Sequence, residues 1–280
     1  MTPALADSGH RLAPFFLPTA GGEILVTAWL PLESPALEWV LVVPPFAEEL
    51  NKSRRMLAML GRKAAAAGRG VLLVDLAGTG DSWGDFRDAR YETWLADLAQ
   101  AARWVEQQGG SVTAVTGLRF GALLGMEFAA GLPTVRQLLL WQPVLSGADV
   151  LTQFLRLRTA AGLTGGGDAK ETQESLRARL RNGEVVEIAG YELTPELYAA
   201  IQDRQLASLM PGRPVRIDWF HLVRQAGATV PEAIAAAADT LAARGAAVET
   251  HALQGDAFWS TAEIAVCDAL VAMTVARLEH

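Results

Sequence analysis

The chain has 280 residues, half of them apolar, with 24 basic against 31 acidic side chains and a formal charge of −7. That length buries a core as one large α/β domain or two modest ones, while the acidic balance argues against nucleic acid as a partner, because phosphate binding wants a positive surplus. No uncharged run approaches the roughly 18–20 residues of a membrane span, and Met1–Leu17 carries Asp7 and lacks a basic stretch ahead of an apolar one, so neither a spanning helix nor a signal peptide is expected.

Residues 1–14 read as an irregular lead-in, and the turn signal Gly21-Gly22 precedes an alternating strand over Glu23–Leu30. Trp39–Val43 is a continuous apolar run stopped by Pro44-Pro45, the mark of a buried parallel strand. The polar stretch 44–55 reads as a loop, leading into a helix from about Ser53 to Ala67 that Gly68 and Gly70 terminate. Val71–Asp75 is the next buried strand and runs into the Gly-dense loop 76–84. Helical spacing follows over Tyr91–Gln108, then Gly109-Gly110.

Ser111–Gly125 is the stretch around which the rest is organised. A short β-branched strand meets Gly117-Leu118-Arg119-Phe120-Gly121 and then an apolar helix to about Ala130. This is the strand–turn–helix layout of a nucleophile elbow, which lifts one side chain above the sheet of an α/β-hydrolase. The central residue, normally Ser, Cys or Asp, is Arg119. Val135–Trp141 reads as a further strand. From Ser146 to Gly212 the rhythm changes to two polar-faced helices (about 148–162 and 170–182) around Gly165–Gly167, a β-like run Glu184–Leu193 and a helix from Pro195, which together read as a cap inserted over the sheet. Strands at 215–223 and 247–253 alternate with helices at 231–244 and from about Ser260 to Arg277. The expected architecture is therefore a mostly parallel, doubly wound α/β-hydrolase sheet, with core segments 1–145 and 213–280 and a helical cap over 146–212. Ligands bind at the carboxyl ends of strands in such sheets.

The triad order in this fold is nucleophile, acid, histidine. The acid slot after Val223 reads Arg224–Val230 and has no carboxylate; the histidine slot after Leu253 reads Gln254-Gly-Asp-Ala-Phe-Trp259 and has no histidine. His221 and His251 lie within strands and are read as structural. A Ser-His-Asp mechanism is disfavoured at all three slots. Arg119 stays protonated and is unsuited to be nucleophile or base, but it can clamp a carboxylate or phosphate with two parallel bonds at a helix N-terminus. Against this stands a buried arginine neutralised by Glu48 or Glu49. That pair sits where this fold supplies part of its oxyanion hole, so a carboxylate there also opposes ester chemistry; it could orient Arg119, act as a general base on water, or simply pair with Arg54 or Arg55.

The loop Asp75-Leu-Ala-Gly-Thr-Gly-Asp-Ser82 offers Ser82 as a stand-in nucleophile or ligand contact, though no base accompanies it and a structural role is favoured. Phe46, Leu118, Phe120, Trp141, Gln142 and Arg156 complete the expected lining: Trp141 as a wall or a core residue, Gln142 as a ligand hydrogen bond or a cap, and Arg156 as added positive charge or a solvent-facing side chain. Neither a phosphate-loop motif nor metal-ligand spacing is found, since four scattered histidines and one cysteine form no cluster. No cofactor is expected, and the single Cys267 fits a reducing cytoplasm.

Six ordered runs, Pro44–Met56, Asp75–Ser82, Gly117–Leu124, Leu140–Val144, Gln153–Leu157 and Ala189–Leu193, together resemble the second of two hydrolase families associated with exosortase A systems. Bacteria with those systems make exopolysaccharide and sort PEP-CTERM proteins. The resemblance runs from about residue 15 to the C-terminus. It implies an α/β-hydrolase fold, a hydrolase by fold, a protein partner in that pathway, and an arginine that belongs in the elbow by family pattern. Fold alone does not settle activity. Two functions are carried forward: a hydrolase acting unconventionally on a small anionic or acyl- or glycan-linked metabolite, with Glu48 or Glu49 as base, and a catalytically inactive pseudo-hydrolase that binds a ligand or partner.

Overall fold

The computed structural model describes residues 9–33, 35–164 and 171–278. Its centre is an eight-stranded sheet made of β1 (His10–Pro18), β2 (Glu23–Pro31), β3 (Glu38–Val43), β4 (Gly70–Val74), β5 (Ser111–Leu118), β6 (Gln137–Trp141), β9 (Arg216–Val223) and β10 (Ala247–Gln254). The spatial order is β1-β2-β4-β3-β5-β6-β9-β10. β1 and β2 pair antiparallel, β2 also runs antiparallel to β4, and every pair from β4 onward is parallel. The inner strands are buried on both faces, which is why they read as unbroken apolar runs rather than as alternations.

Helices α1 (Glu48–Ala66) and α8 (Asp268–Leu278) cover one face; α2 (Tyr91–Gln107), α3 (Phe120–Ala130) and α7 (Glu232–Ala243) cover the other. Strand side chains alternate between the two cores, so Leu41 and Val43 pack with α2 and α3 while Val40 and Val42 pack with α1 and α8. Between β6 and β9 the chain runs through α4 (Gly147–Thr164), α5 (Gln173–Arg181), the hairpin β7 (Val186–Ile188) and β8 (Tyr191–Leu193), and α6 (Pro195–Gln202). Ala189 and Gly190 both have positive φ, 51° and 87°, as a two-residue hairpin turn requires. The expected Gly165–Gly167 linker lies outside the described residues.

Three boundaries differ from the sequence reading. Residues 10–14 are not irregular but open β1, a strand whose Pro14 and Pro18 disguise it; proline is tolerated there because β1 is the sheet's edge. Helix α1 starts at Glu48 rather than near Ser53, so Glu48 and Glu49 are not loop residues but its first turn, where the helix dipole favours carboxylates. Helix α8 starts at Asp268 rather than Ser260, because Phe258, Trp259 and Cys267 are folded into the core from an irregular segment ahead of it.

Candidate active site

A cavity of about 250 Å³ opens at the carboxyl ends of β3, β5, β6 and β10. Two backbone turns build its floor. Ala47 (φ 52°, ψ −126°) precedes α1, and Arg119 (φ 56°, ψ −116°) precedes α3. Both residues hold the same left-handed conformation, which costs about 1–3 kcal/mol in a residue with a Cβ and persists only where the surroundings enforce it. They do so here. Gly121 lies so close to β3 that a Cβ would run into the carbonyl oxygens of Val43 and Pro44, and the Arg119 N–H donates to the Trp141 carbonyl at 2.9 Å. The first N–H groups of α1 and α3 have no acceptor within their own helices, so two helix N-termini converge on one cavity. Phe46 sits at the centre of an aromatic cluster, edge-on to Phe120 at 5.2 Å, Phe154 at 5.1 Å and Trp94 at 6.2 Å, and makes the apolar floor rigid.

The guanidinium of Arg119 is held from three sides. Its Nε donates to Glu49 Oε1 at 3.3 Å, its Nη2 donates to Gln153 of α4, and it lies over the Trp259 ring at 5.2 Å from the centroid. The Arg119 and Glu49 side chains are only 12% and 18% exposed, which places the pair in a medium where charges are poorly screened. Burial raises the Glu49 carboxyl to about 7, against the lowering influence of Arg119; Glu48 adds to the rise. Burial also raises Glu48, and its Oε2 is buried without a hydrogen-bond partner. Lys52 lines the same wall from the next turn of α1, and Val150, Phe154 and Leu157 of α4 form the opposite one.

Of the residues singled out in the sequence, Phe46, Glu48, Glu49, Arg119 and Phe120 meet at this cavity. The other five do not. Ser82 is fixed in its loop, its Oγ donating to the Asp75 carbonyl at 2.5 Å and accepting from Leu25 N–H at 2.8 Å. Leu118 is fully buried among the α1-side core, on the face away from α3. Trp141 points into that same core and donates through Nε1 to Thr274 Oγ1 at 2.9 Å, so it is no pocket wall. Gln142 has φ 43° and spends its Oε1 on the Leu222 N–H at 2.7 Å, tying β6 to β9 instead of facing a ligand. Arg156 lies exposed on α4, outside the lining. Arg54 pairs bidentately with Asp75, at 3.1 and 2.9 Å, and so is not the partner of either glutamate.

Gln153, Phe154 and Trp259 are among the contributors that the sequence did not single out as site residues, with Lys52, Val144, Val150, Leu157 and Ser260. Trp259 was legible in principle: it closes the very segment where a histidine was sought, and its ring now abuts the residue in the nucleophile position. Among the described residues, the lining holds one serine, Ser260, whose Oγ donates to the Ala257 carbonyl at 3.0 Å, and no histidine. His251 lies instead within the edge strand β10, 3.1 Å from Asp218 and stacked on Phe220 at 4.8 Å.

No family model matches the chain. Est1E from Butyrivibrio proteoclasticus with bound ferulic acid superposes with a TM-score of 0.60 at 18% identity, covering 95% of this chain and 98% of that one. A thermostable carboxyl esterase from Bacillus coagulans in complex with glycerol gives 0.61 at 20% identity, covering 96% and 98%. The chain has the α/β-hydrolase fold. In sequence it is similar to a thermostable monoacylglycerol lipase from Bacillus sp. (strain H-257), 30% identical over 159 residues. That match spans 57% of this chain and 58% of the length of the lipase.

Proposed function

We propose that this α/β-hydrolase-fold protein binds a small molecule pairing an anionic head with an apolar acyl or aryl body, and that it does so without serine-hydrolase turnover. The observation that carries this is Arg119 itself: the position that presents a nucleophile in this fold presents a guanidinium, stacked against Trp259 of the segment after β10 where a histidine is expected. A guanidinium with free N–H groups, set between two helix N-termini, is suited to a carboxylate or phosphate oxygen pair. The walls from Phe46, Phe154 and Leu157 suit a hydrocarbon or aromatic body. The partial likeness to a protein named a monoacylglycerol lipase, and the fold shared with esterases, one of them holding ferulic acid, support an acyl or aryl class. Residues 146–212 serve as a cap that closes over the ligand. The resemblance to exosortase-associated hydrolases supports a protein partner in an exopolysaccharide pathway, and the single Cys267 supports a reducing, cytoplasmic setting.

A second reading, as a hydrolase, is favoured by one specific feature, a Glu49 carboxyl raised to about 7 beside Arg119. Here Glu49 takes a proton from water, the hydroxide attacks an ester carbonyl, Arg119 stabilises the oxyanion, and the proton passes to the departing alcohol. Incubation with a fluorophosphonate, followed by intact-mass analysis, tests the serine-free premise; stoichiometric labelling of Ser260 or Ser82 would overturn it. Calorimetry with octanoate tests the clamp, and equal affinity for wild type and Arg119→Ala would rule it out. Turnover of p-nitrophenyl butyrate that is lost in Glu49→Gln would select the hydrolase reading.

A further inference from the structure

The Arg119 cation already has a carboxyl group beside it before any ligand arrives. Glu49 Oε1 lies 3.3 Å from Arg119 Nε, and both side chains line the cavity that the anion must enter. Glu48, on the same turn of α1, contributes a second carboxylate whose Oε2 has no hydrogen-bond partner. The other groups facing this cluster are few. Lys52 lies one turn further along α1. Gln153 comes from α4, and Trp259 with Ser260 from the segment after β10; none of these three titrates. Tyr191 of β8 faces Glu48 from beyond Asn51, while the next cation on α1, Arg54, is committed to Asp75. An incoming anion therefore leaves the apolar cavity with one negative charge too many, and isolated charge is costly in such surroundings.

We infer that the anion enters together with a proton, which settles on Glu49, so that the occupied site holds a neutral carboxylic acid and an anion sharing the Arg119 guanidinium. Protonated Glu49 then donates its O–H to an oxygen of the ligand, and the like-charge repulsion becomes a hydrogen bond. This rests on the anion-clamp reading and deepens it, because it makes affinity depend on pH in a defined direction. Burial has already brought the Glu49 carboxyl to about 7 in the empty site. Below that value the site is ready for an anion; above it each pH unit weakens binding about tenfold.

The test uses octanoate, which stays ionised across this range, titrated calorimetrically into the full chain between about pH 6 and 8.5. Tris, imidazole and triethanolamine serve as buffers, so that no buffer anion competes and their different ionisation enthalpies report proton uptake. The wild type is expected to take up close to one proton per octanoate at about pH 8, and none in Glu49→Gln. Glu49→Gln, which keeps a hydrogen-bond donor and lacks the charge, is expected to bind about tenfold tighter than wild type at that pH and to be flat with pH. Octanoate binding that releases or takes up no proton in the wild type overturns the inference and leaves the clamp standing. Proton uptake that survives in Glu49→Gln overturns the assignment to Glu49. Absence of binding to both proteins at every pH overturns the clamp itself, and the inference with it.

Discussion

Replacing Glu49 by Gln gives the sharpest view of what burial does at this site, because its effect on stability has a calculable pH dependence. The carboxyl rises from 4.5 in the unfolded chain to about 7 in the fold, with desolvation the leading cause. At 1.36 kcal/mol for each tenfold change in proton affinity, that interval corresponds to about 3 kcal/mol. The native state holds this proton more tightly than the unfolded chain, so the stability it contributes is complete below pH 4.5 and is lost as the pH rises through about 7. Glu49→Gln lacks the titration. Urea unfolding of both proteins, followed by tryptophan fluorescence between about pH 4.5 and 8.5, should show the wild type losing about 3 kcal/mol relative to the variant across that window. Asp97, raised to about 6 elsewhere in the fold, is present in both proteins and cancels in the difference. A difference that stays level within about 0.5 kcal/mol would mean that Arg119 offsets the burial of Glu49 completely, and the electrostatic account of the pocket would be wrong.

Four further outcomes are expected. Arg119→Ser should gain no esterase activity toward p-nitrophenyl butyrate, because among the described residues no histidine lines the cavity and Trp259 abuts position 119; measurable burst kinetics would contradict this. Tyr91→Phe should lower stability by about 1–2 kcal/mol in urea titrations, since it removes the donor to Glu127 Oε2 at 2.7 Å, in a network that also receives Arg204 Nε at 2.9 Å. Gly121→Ala should cost about 1–3 kcal/mol or more, because its Cβ meets the backbone carbonyls of Val43 and Pro44, which cannot swing away; a wild-type melting curve would refute that packing. Zinc should not raise the melting temperature through Asp218, Glu249 and His251, although their ligand atoms lie within 4.8 Å of one another. Burial pushes the Asp218 carboxyl up, but hydrogen bonds from His251, Gln137 and Arg277 and the charge of Arg216 outweigh it, holding the group at about 2 with its oxygens already engaged.

The parallel strands and the elbow were legible because their signals are local and strong. Val40–Val43 and Val71–Val74 are buried on both faces and read as such, and Gly117 and Gly121 mark a turn that tolerates no larger residue. The edge strand β1 was missed because Pro14 and Pro18 mimic a loop, and the start of α1 because Glu48 and Glu49 look like solvated loop residues when the helix dipole and Arg119 are what accommodate them. Direction was the larger difficulty at the site. Trp141 and Gln142 do lie at the end of a strand, as the sequence implies, but which face a side chain takes depends on neighbours 80 to more than 130 positions away, Leu222 and Thr274. Gln153 and Trp259 join the pocket only because α4 and the segment after β10 are brought together over the elbow, a relation no spacing within either segment encodes.

The elbow turn is held by contacts of the main chain: the Arg119 N–H on the Trp141 carbonyl and Gly121 seated on Val43 and Pro44. None of those contacts uses the side chain at position 119. The turn is therefore a socket rather than a mechanism, and what it presents to the cavity can be exchanged without refolding the sheet beneath it. A lineage that begins with a catalyst can thus become a receptor, and a receptor a catalyst, through changes in the few side chains that face the opening.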